Sequence, residues 1–493
     1  MFALQSLTWL VLGGLLLVFS SGKWTVPLAP WLALLFLLHF SKTNNLLIGC
    51  LGVWLALFIA LAIAYQGVIM LPPAAFFGIV ALISATYTLP FIADHILAPR
   101  LPGLTSTLVF PLTFVILEWI NGRVSLFGTW GSFAYTQYGN LPLMQLASVT
   151  GLWGITFLLA WFGSIGNWVW MNGFNWSIVR SEVLVYATIW SLVMLAGGAR
   201  LALTPRNVPA VRIAAIGWPA GVLDRREISL LVNDDSLSDE DLQQRRQKLH
   251  ALHNRLLAES RREARAGAKV VAWTETSTVL LAEDSPLWIE EAQQVAKEEG
   301  IYLLMGVASI DRKRAQPRAE NLAWLITPQG EVAFMYHKAR EIPPDLAITR
   351  LGEGQILTHD TPYGRIAAAI CFDLDFPGYI RQAGQARSDI LLAPYGDWET
   401  IKELHAEMAA FRAVENGISL VRPARGGVST AIDPYGRVLA SMDEFTAEQR
   451  IMVAQVPTSG VRTIYSRLGD WFVWLSMAGL IILTVAGFVS RPV

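Results

Sequence analysis

The sequence predicts an α-helical membrane bundle of about eight helices with an α/β domain inserted before the last of them. Three observations carry that expectation. The 493 residues are 53% hydrophobic and only 16% charged, with a mean hydropathy of +0.43, a balance too apolar for an ordinary water-soluble enzyme. Charge is unevenly placed: only Lys23, Lys42, Asp94, Arg100, Glu118, Arg123, Arg180 and Glu182 precede Gly198, whereas charges are dense from Pro205 to about Pro457. From Pro209 onward, short β-rich runs alternate with polar helical patterns. A net charge of −1 gives no electrostatic case for nucleic acid.

Apolar runs occur near residues 4–20, 30–40, 46–65, 75–97, 105–120, 151–171 and 183–203, and a last one near 471–489. A helix needs about 20 residues to cross the hydrocarbon, so the second run is short for a span. This places a membrane domain of about seven helices at 1–204, an α/β domain at 205–460, and a linker with the C-terminal helix at 461–493. The first run lacks a basic flank and more spans follow it, which reads as an anchor rather than a cleaved signal. With the N-terminus inside, Lys42, Arg100, Arg180 and Arg491 are cytoplasmic while Lys23 and Arg123 lie outside. That bias favours this orientation, and seven crossings then put the α/β domain outside the cytoplasm. Asp94, His95 and Glu118 fall near predicted helix ends, where reaching to the interface is expected. The aromatic-rich loop from Gly128 through Trp130 and Gly131 to Tyr138 reads as an interfacial belt or as a cover over a site. Cys50 sits in an apolar run, so a disulfide with Cys371 is not expected, and no CxxC or Cys/His cluster marks a metal site.

In the α/β part, strands are expected at 211–216, 269–273, 301–307, 322–326, 332–336, 366–370, 389–393, 419–422 and 451–456. Ser238 and Asp241 form a capping box, and Leu242, Leu249, Leu252 and Leu256 make the apolar stripe of the long helix behind it. Further helices are expected near 289–299, 379–386 and 401–416. Pro328-Gln329-Gly330 and Asp433-Pro434-Tyr435-Gly436 are hairpin turns. The domain is about 250 residues long, enough to bury a full core.

Three reactive side chains close three of these strands: Glu275 after Val270–Trp273, Lys338 after the second hairpin strand, and Cys371 after the run Ile366–Ile370. Each alone has a plainer explanation, such as a capping glutamate, a solvated lysine or a core thiol. Converging in one cleft, they would supply a general base, a cation for an oxyanion and a nucleophile.

With their surroundings, Trp273-Thr274-Glu275, His337-Lys338-Ala339-Arg340-Glu341-Ile342-Pro343 and Ile370-Cys371-Phe372-Asp373-Leu374-Asp375-Phe376-Pro377, these residues resemble the nitrilase (carbon–nitrogen hydrolase) superfamily. The stretches from Pro142 to Leu158 and from Thr463 to Trp471 are similar to segments of its apolipoprotein N-acyltransferase family, and with them the resemblance spans most of the chain. It implies an αββα sandwich on the outer, periplasmic face of a bacterial inner membrane. There Cys371 would take a fatty acyl chain from a phospholipid as a thioester and pass it to the N-terminal amine of a diacylglyceryl-cysteine lipoprotein. Glu275 would be the base and Lys338 the oxyanion and proton-handling group, with no cofactor and no metal. The chain is expected to work as a monomer.

The surroundings depart from the family pattern. Phe372-Asp373 stands where the family has Tyr-Glu, and Pro343-Pro344-Asp345-Leu346 replaces Pro-Phe-Gly-Glu, leaving Glu341 and Asp345 nearby but out of register. Tyr395-Gly396-Asp397-Trp398 replaces Asn-Asp-x-Trp, and Arg425 takes the place of an asparagine. Glu341, Phe372, Asp373, Trp398 and Arg425 are therefore the supporting candidates. Arg425 would meet a phosphate or carboxylate if it faces the cleft, and solvent or a local ion pair otherwise. Apolar groups in 342–348 suggest a lid. Two other readings stay open, a membrane-tethered amidase or nitrilase acting on a small amide, and a non-catalytic lipid- or peptide-binding relative.

Overall fold

The computed structural model describes residues 2–205, 207–217 and 230–489. It divides into two compact units, Met1–Thr204 with Leu468–Val493, and Pro205–Arg467.

The first unit is helical: α1 (Phe2–Val18), α2 (Ala29–Thr43), α3 (Leu46–Tyr65), α4 (Pro73–Leu97), α5 (Gly103–Val124), α6 (Leu152–Met171), α7 (Trp176–Ala202) and the C-terminal helix Trp471–Val489. They fall on the eight apolar runs. Among the described residues, α3 to α7 and the C-terminal helix are long and apolar enough to cross a membrane, while α1 and α2 have 17 and 15 residues. Arg491, used in the charge argument, lies outside the described residues.

The expectation for the carboxylates of this unit is overturned, and so is the interfacial belt, one of the two readings of the aromatic loop. Glu118 does not reach to an interface. It is buried and accepts hydrogen bonds from Ser132 Oγ (2.8 Å), Phe133 N (3.0 Å) and Thr156 Oγ1 (2.6 Å), because a carboxylate taken out of water needs donors around it. Asp94 is likewise buried, 2.8 Å from Lys42 Nζ, and His95 is half-buried. The aromatic loop that supplies donors to Glu118 folds into the bundle rather than forming a belt. The Tyr65 and Tyr87 hydroxyls donate to the Trp130 and Gly131 carbonyls at 2.9 and 3.2 Å, and Trp130, Phe133 and Tyr135 are buried. Asp470, at the head of the C-terminal helix, accepts from Trp119 Nε1 of α5 (2.9 Å) and Trp153 Nε1 of α6 (3.0 Å) and pairs with Arg123 (2.6 Å).

The second unit is a two-sheet α/β sandwich. The first sheet contains β1 (Ala210–Ile216), β2 (Val270–Trp273), β3 (Thr278–Leu281), β4 (Tyr302–Ile310), β5 (Ala319–Ile326) and β6 (Val332–His337). The second contains β7 (Thr358–Thr361), β8 (Gly364–Ala368), β9 (Ile390–Leu392), β10 (Ser419–Arg422), β11 (Val428–Ile432) and β12 (Val438–Asp443), and β13 (Ile451–Pro457) returns to the edge of the first. The orders are β13-β1-β2-β4-β5-β6, with β3 on β4, and β7-β8-β9-β10-β11-β12. Strands β1, β2 and β4 run parallel, as do β8, β9 and β10; the flanking pairs are antiparallel. Helices α8 (Asp239–Arg265) and α9 (Ser285–Glu299) cover the first sheet, and α10 (Pro377–Gln385) and α11 (Lys402–Asn416) belong with the second. The four layers make an αββα sandwich.

Local chemistry explains the elements that set the site. Ser238 caps α8 by accepting from Asp241 N. The predicted leucine stripe then buries Leu249, Leu252 and Leu256 against Val271, Trp273 and Leu303, with the Trp273 indole held by Ser260 Oγ at 2.9 Å. The strand expected over 366–370 ends earlier, at Ala368, and a 3₁₀ turn begins at Cys371. There the Asp373 carboxylate accepts from Ile370 N at 2.9 Å, replacing a strand partner and turning the chain.

Candidate active site

Glu275 and Cys371 follow the C-terminal ends of parallel strands β2 and β8, one from each sheet. That end of a parallel strand is where α/β folds expose reacting groups. Lys338 follows β6. All three line one cavity of about 300 Å³ together with Asn321, Glu341, Gly396, Trp398, His405 and Arg425. A separate cavity of about 80 Å³ within the helical unit is lined by residues including Tyr65, Tyr87, Glu118 and Trp130 but carries no thiol or ammonium group among its described residues.

Lys338 Nζ lies 2.8 Å from Glu275 Oε1 and 2.7 Å from Glu341 Oε1. Burial by itself would depress the ammonium, but the two carboxylates outweigh it and hold its pKa well above the usual lysine value. Glu341, out of register in the sequence, thus reaches the lysine through a loop that folds back on itself, and burial raises its own carboxyl pKa against the pull of Lys338. Glu275 Oε1 also accepts from Asn321 Nδ2 at 2.7 Å. Its second oxygen faces Gly396: a Cβ at that glycine would sit 2.8 Å from Glu275 Oε2 and 3.5 Å from Arg425 Nη2. Cys371 Sγ lies 3.8 Å from the Gly396 carbonyl oxygen. So one carboxylate oxygen is anchored and the other is turned toward the segment beside the sulfur.

Cys371 adopts a left-handed backbone conformation, φ 45°, as does Thr276 beside Glu275, φ 48°. Such strain in non-glycine residues is sustained only when the surroundings impose it. Cys371 N donates to the Pro394 carbonyl (2.9 Å). Burial pushes the thiol well above its ordinary pKa, the Glu275 charge adds to this, and Lys338 offsets part of it. The surroundings therefore favour the thiol over the thiolate at this sulfur.

The remaining sequence candidates divide. Trp398 and Arg425 line the cavity. Phe372 is buried outside it. Asp373 turns away from it and ties the loops together, accepting from the Tyr336 hydroxyl (2.6 Å), Ala339 N (3.1 Å) and Arg340 N (2.8 Å) as well as Ile370 N. Burial outweighs those bonds and raises its carboxyl pKa to about 7. The expected lid, 342–348, contributes Ile342, Asp345 and Ile348 to the wall.

Sequence reasoning missed Asn321 and a buried charge network behind Cys371. His405 lies 2.8 Å from Asp397 Oδ1 and 3.3 Å from Asp375 Oδ2, and Asp397 also binds Arg422. Burial opposes the imidazolium, yet the two aspartates raise its pKa to about 9. Donor atoms of Cys371, Asp397 and His405 come within 4.8 Å of one another, a set of metal-ligand types. The imidazole already faces a carboxylate on each side, so the cluster reads as an ion-pair network. Its members come from separate elements, and no local spacing could have announced it.

An αββα sandwich with a buried cysteine at a strand end, facing a lysine–glutamate pair, defines the carbon–nitrogen hydrolase class. Residues 238–465 match the carbon-nitrogen hydrolase family model and residues 13–165 match the model of the apolipoprotein N-acyltransferase N-terminal domain. Curated relatives include the apolipoprotein N-acyltransferase of Geobacter metallireducens, 26% identical over 79% of this chain and 76% of that protein. That of Bradyrhizobium diazoefficiens is 28% identical over 86% of this chain and 80% of that protein. Among solved structures, an amidase from Nesterenkonia sp. is 19% identical, with a TM-score of 0.43 over 56% of this chain and 98% of that one. The chain belongs to the apolipoprotein N-acyltransferase family.

Proposed function

We propose that this acyltransferase moves a fatty acyl chain from a phospholipid, through a thioester on Cys371, to the N-terminal amine of a diacylglyceryl-cysteine lipoprotein. The observation that carries the reading is the single cavity in which Lys338 lies between Glu275 and Glu341 beside the Cys371 thiol. Glu275 Oε2 takes the Sγ proton as sulfur attacks the ester carbonyl carbon. Lys338 Nζ stabilises the oxyanion, and its two carboxylate partners keep it protonated to do so. When the tetrahedral intermediate collapses, the C–O ester bond breaks. Glu275 returns its proton to the departing glycerol oxygen, leaving lysophospholipid and a thioester. In the second half the lipoprotein amine attacks the thioester carbonyl, loses a proton to Glu275, and expels the sulfur, which regains that proton. An amide and the free thiol result. Apolar Ile342 and Ile348 in the wall support transfer over hydrolysis by keeping water from the thioester.

The chain acts as a multi-pass protein of the bacterial inner membrane, monomeric, with the catalytic unit on the periplasmic side; Lys42, Arg100 and Arg180 against Lys23 and Arg123 support that side.

The test is the intact mass of purified protein incubated with phospholipid. An acyl-sized gain, absent from Cys371→Ala and discharged by a diacylglyceryl-cysteine peptide, is expected. Ammonia release from small amides without an adduct would replace this reading with hydrolysis.

A further inference from the structure

A group of buried charges stands behind the sulfur with no part in the proton transfers between Cys371 and Glu275. His405 of α11 lies between Asp397, 2.8 Å from its Nδ1, and Asp375, 3.3 Å from its Nε2. Asp375 closes the 3₁₀ turn that Cys371 opens. Asp397 also pairs with Arg422 of β10, whose guanidinium lies over the Tyr395 ring at 3.8 Å. Tyr395 in turn meets the imidazole edge-on, with ring centroids 5.7 Å apart. None of the four charged side chains is more than 1% exposed. Carboxylates taken this far out of water need cations beside them.

The geometry sets the charge of His405. Each ring nitrogen faces a carboxylate oxygen, and only the imidazolium carries an N–H on both. Burial opposes that charge, but Asp375 and Asp397 hold its pKa at about 9. Asp375 and Asp397 are then matched by His405 and Arg422, and the network is neutral. Without the imidazolium charge, one carboxylate is left unmatched. Cys371 is near enough to feel the difference, because donor atoms of Cys371, Asp397 and His405 lie within 4.8 Å of one another. Burial and the Glu275 charge push the thiol up and Lys338 offsets part of this, while Asp397 adds to the rise. An unmatched aspartate behind the sulfur would therefore oppose any negative charge on it.

We propose that His405 is a positioning residue for the sulfur chemistry: its imidazolium cancels the charge of Asp375 and Asp397 at Cys371, so that negative charge can build on Sγ as the proton leaves for Glu275. The same cancellation eases the departure of sulfur from the thioester when the amine attacks. His405 thus acts in both half-reactions through the sulfur and touches neither substrate. The assignment rests on Cys371 being the nucleophile of the acyl transfer.

The experiment follows alkylation by iodoacetamide of the full-length protein in detergent, with Cys50→Ala so that Cys371 is the one thiol, from about pH 6.5 to about pH 10. The rate reports the thiolate fraction. At about pH 7, His405→Gln should slow alkylation about tenfold, the effect of one neighbouring charge. Adding Asp375→Asn, which removes the unmatched carboxylate, should restore most of the rate. The gap between the unaltered protein and His405→Gln should close above about pH 9, where the imidazolium loses its proton. Thioester formation from phospholipid, read by intact mass at about pH 7, should follow the same order. An unaltered rate in His405→Gln, a deficit that the double variant keeps, or a deficit that persists at about pH 10 overturns the assignment. If His405→Gln does not fold, the unaltered protein decides: the logarithm of its rate should flatten near pH 9, and a straight climb with pH through that point overturns the assignment. Alkylation that behaves as expected on a protein that forms no thioester overturns acyl transfer and leaves the charge assignment standing.

Discussion

At the scale of single residues, the site is organised around unequal use of two carboxylates. Glu275 spends one oxygen on Lys338 and Asn321 and keeps the other toward Gly396, whereas Glu341 faces the lysine from the other side. Glu275→Gln keeps the shape but removes the proposed proton acceptor. Thioester formation, followed by stopped reaction and intact mass, should slow about 10²–10⁴-fold while the variant stays folded. His405 makes a prediction about pH. Its pKa is raised to about 9 by Asp375 and Asp397, against an unfolded value of about 6.5. Its contribution to stability is therefore full below about pH 6.5 and is lost as pH rises through about 9. Unfolding temperatures measured across that window should fall toward alkaline pH, and less steeply in His405→Gln. An unchanged slope in that variant would place the alkaline loss elsewhere.

At the scale of elements, the proposed catalytic groups depend on turns more than on strands. The 3₁₀ turn Cys371–Asp375 is pinned by Asp373, which also holds the loop after Lys338. One buried carboxylate therefore keeps the turn of Cys371 in register with the loop of Lys338. Segment Tyr395–Gly396, paired with Ala424–Arg425, closes the other side. A methyl at Gly396 would come 2.8 Å from Glu275 Oε2, the far end of a side chain that would have to shift to admit it. Gly396→Ala should displace that carboxylate and lower the acylation rate by roughly 10²-fold, the scale of effect a misplacement of about 1 Å produces. A rate within twofold of the unaltered protein would show that the glycine has room to spare. The turn and the pairing explain why the three strand ends, distant in sequence, hold a common geometry.

At the scale of the whole molecule, two compact units divide the work. The catalytic unit is a sandwich with its own core. The helical unit is closed by Asp470, which ties the C-terminal helix to α5 and α6 through two indole N–H groups and Arg123. Asp470→Asn retains the size but loses the charge that all three donors address. It should cost on the order of 1–3 kcal/mol, read as a lower unfolding temperature of purified protein in detergent. Glu118 plays a similar part for the aromatic loop, gathering Ser132, Phe133 and Thr156 around one buried carboxylate.

The sequence alone determined the division into an apolar helical part and an α/β part, because hydropathy and periodicity are local properties that survive without any knowledge of contacts. It also singled out Glu275, Lys338 and Cys371, since each stands at the end of a β-rich run inside a distinctive motif. Only the tertiary structure decided which neighbours serve them. Glu341 faces Lys338 because a loop folds back, Asn321 reaches Glu275 from β5, and His405 meets Asp375 and Asp397 from α11. It also turned Glu118 and the aromatic loop inward, where local hydropathy had pointed to an interface. Asn321 and Glu275 meet across 46 residues, which no window of sequence contains, whereas Glu341 stands only three residues from Lys338 and it is the conformation of the loop that turns it onto the ammonium.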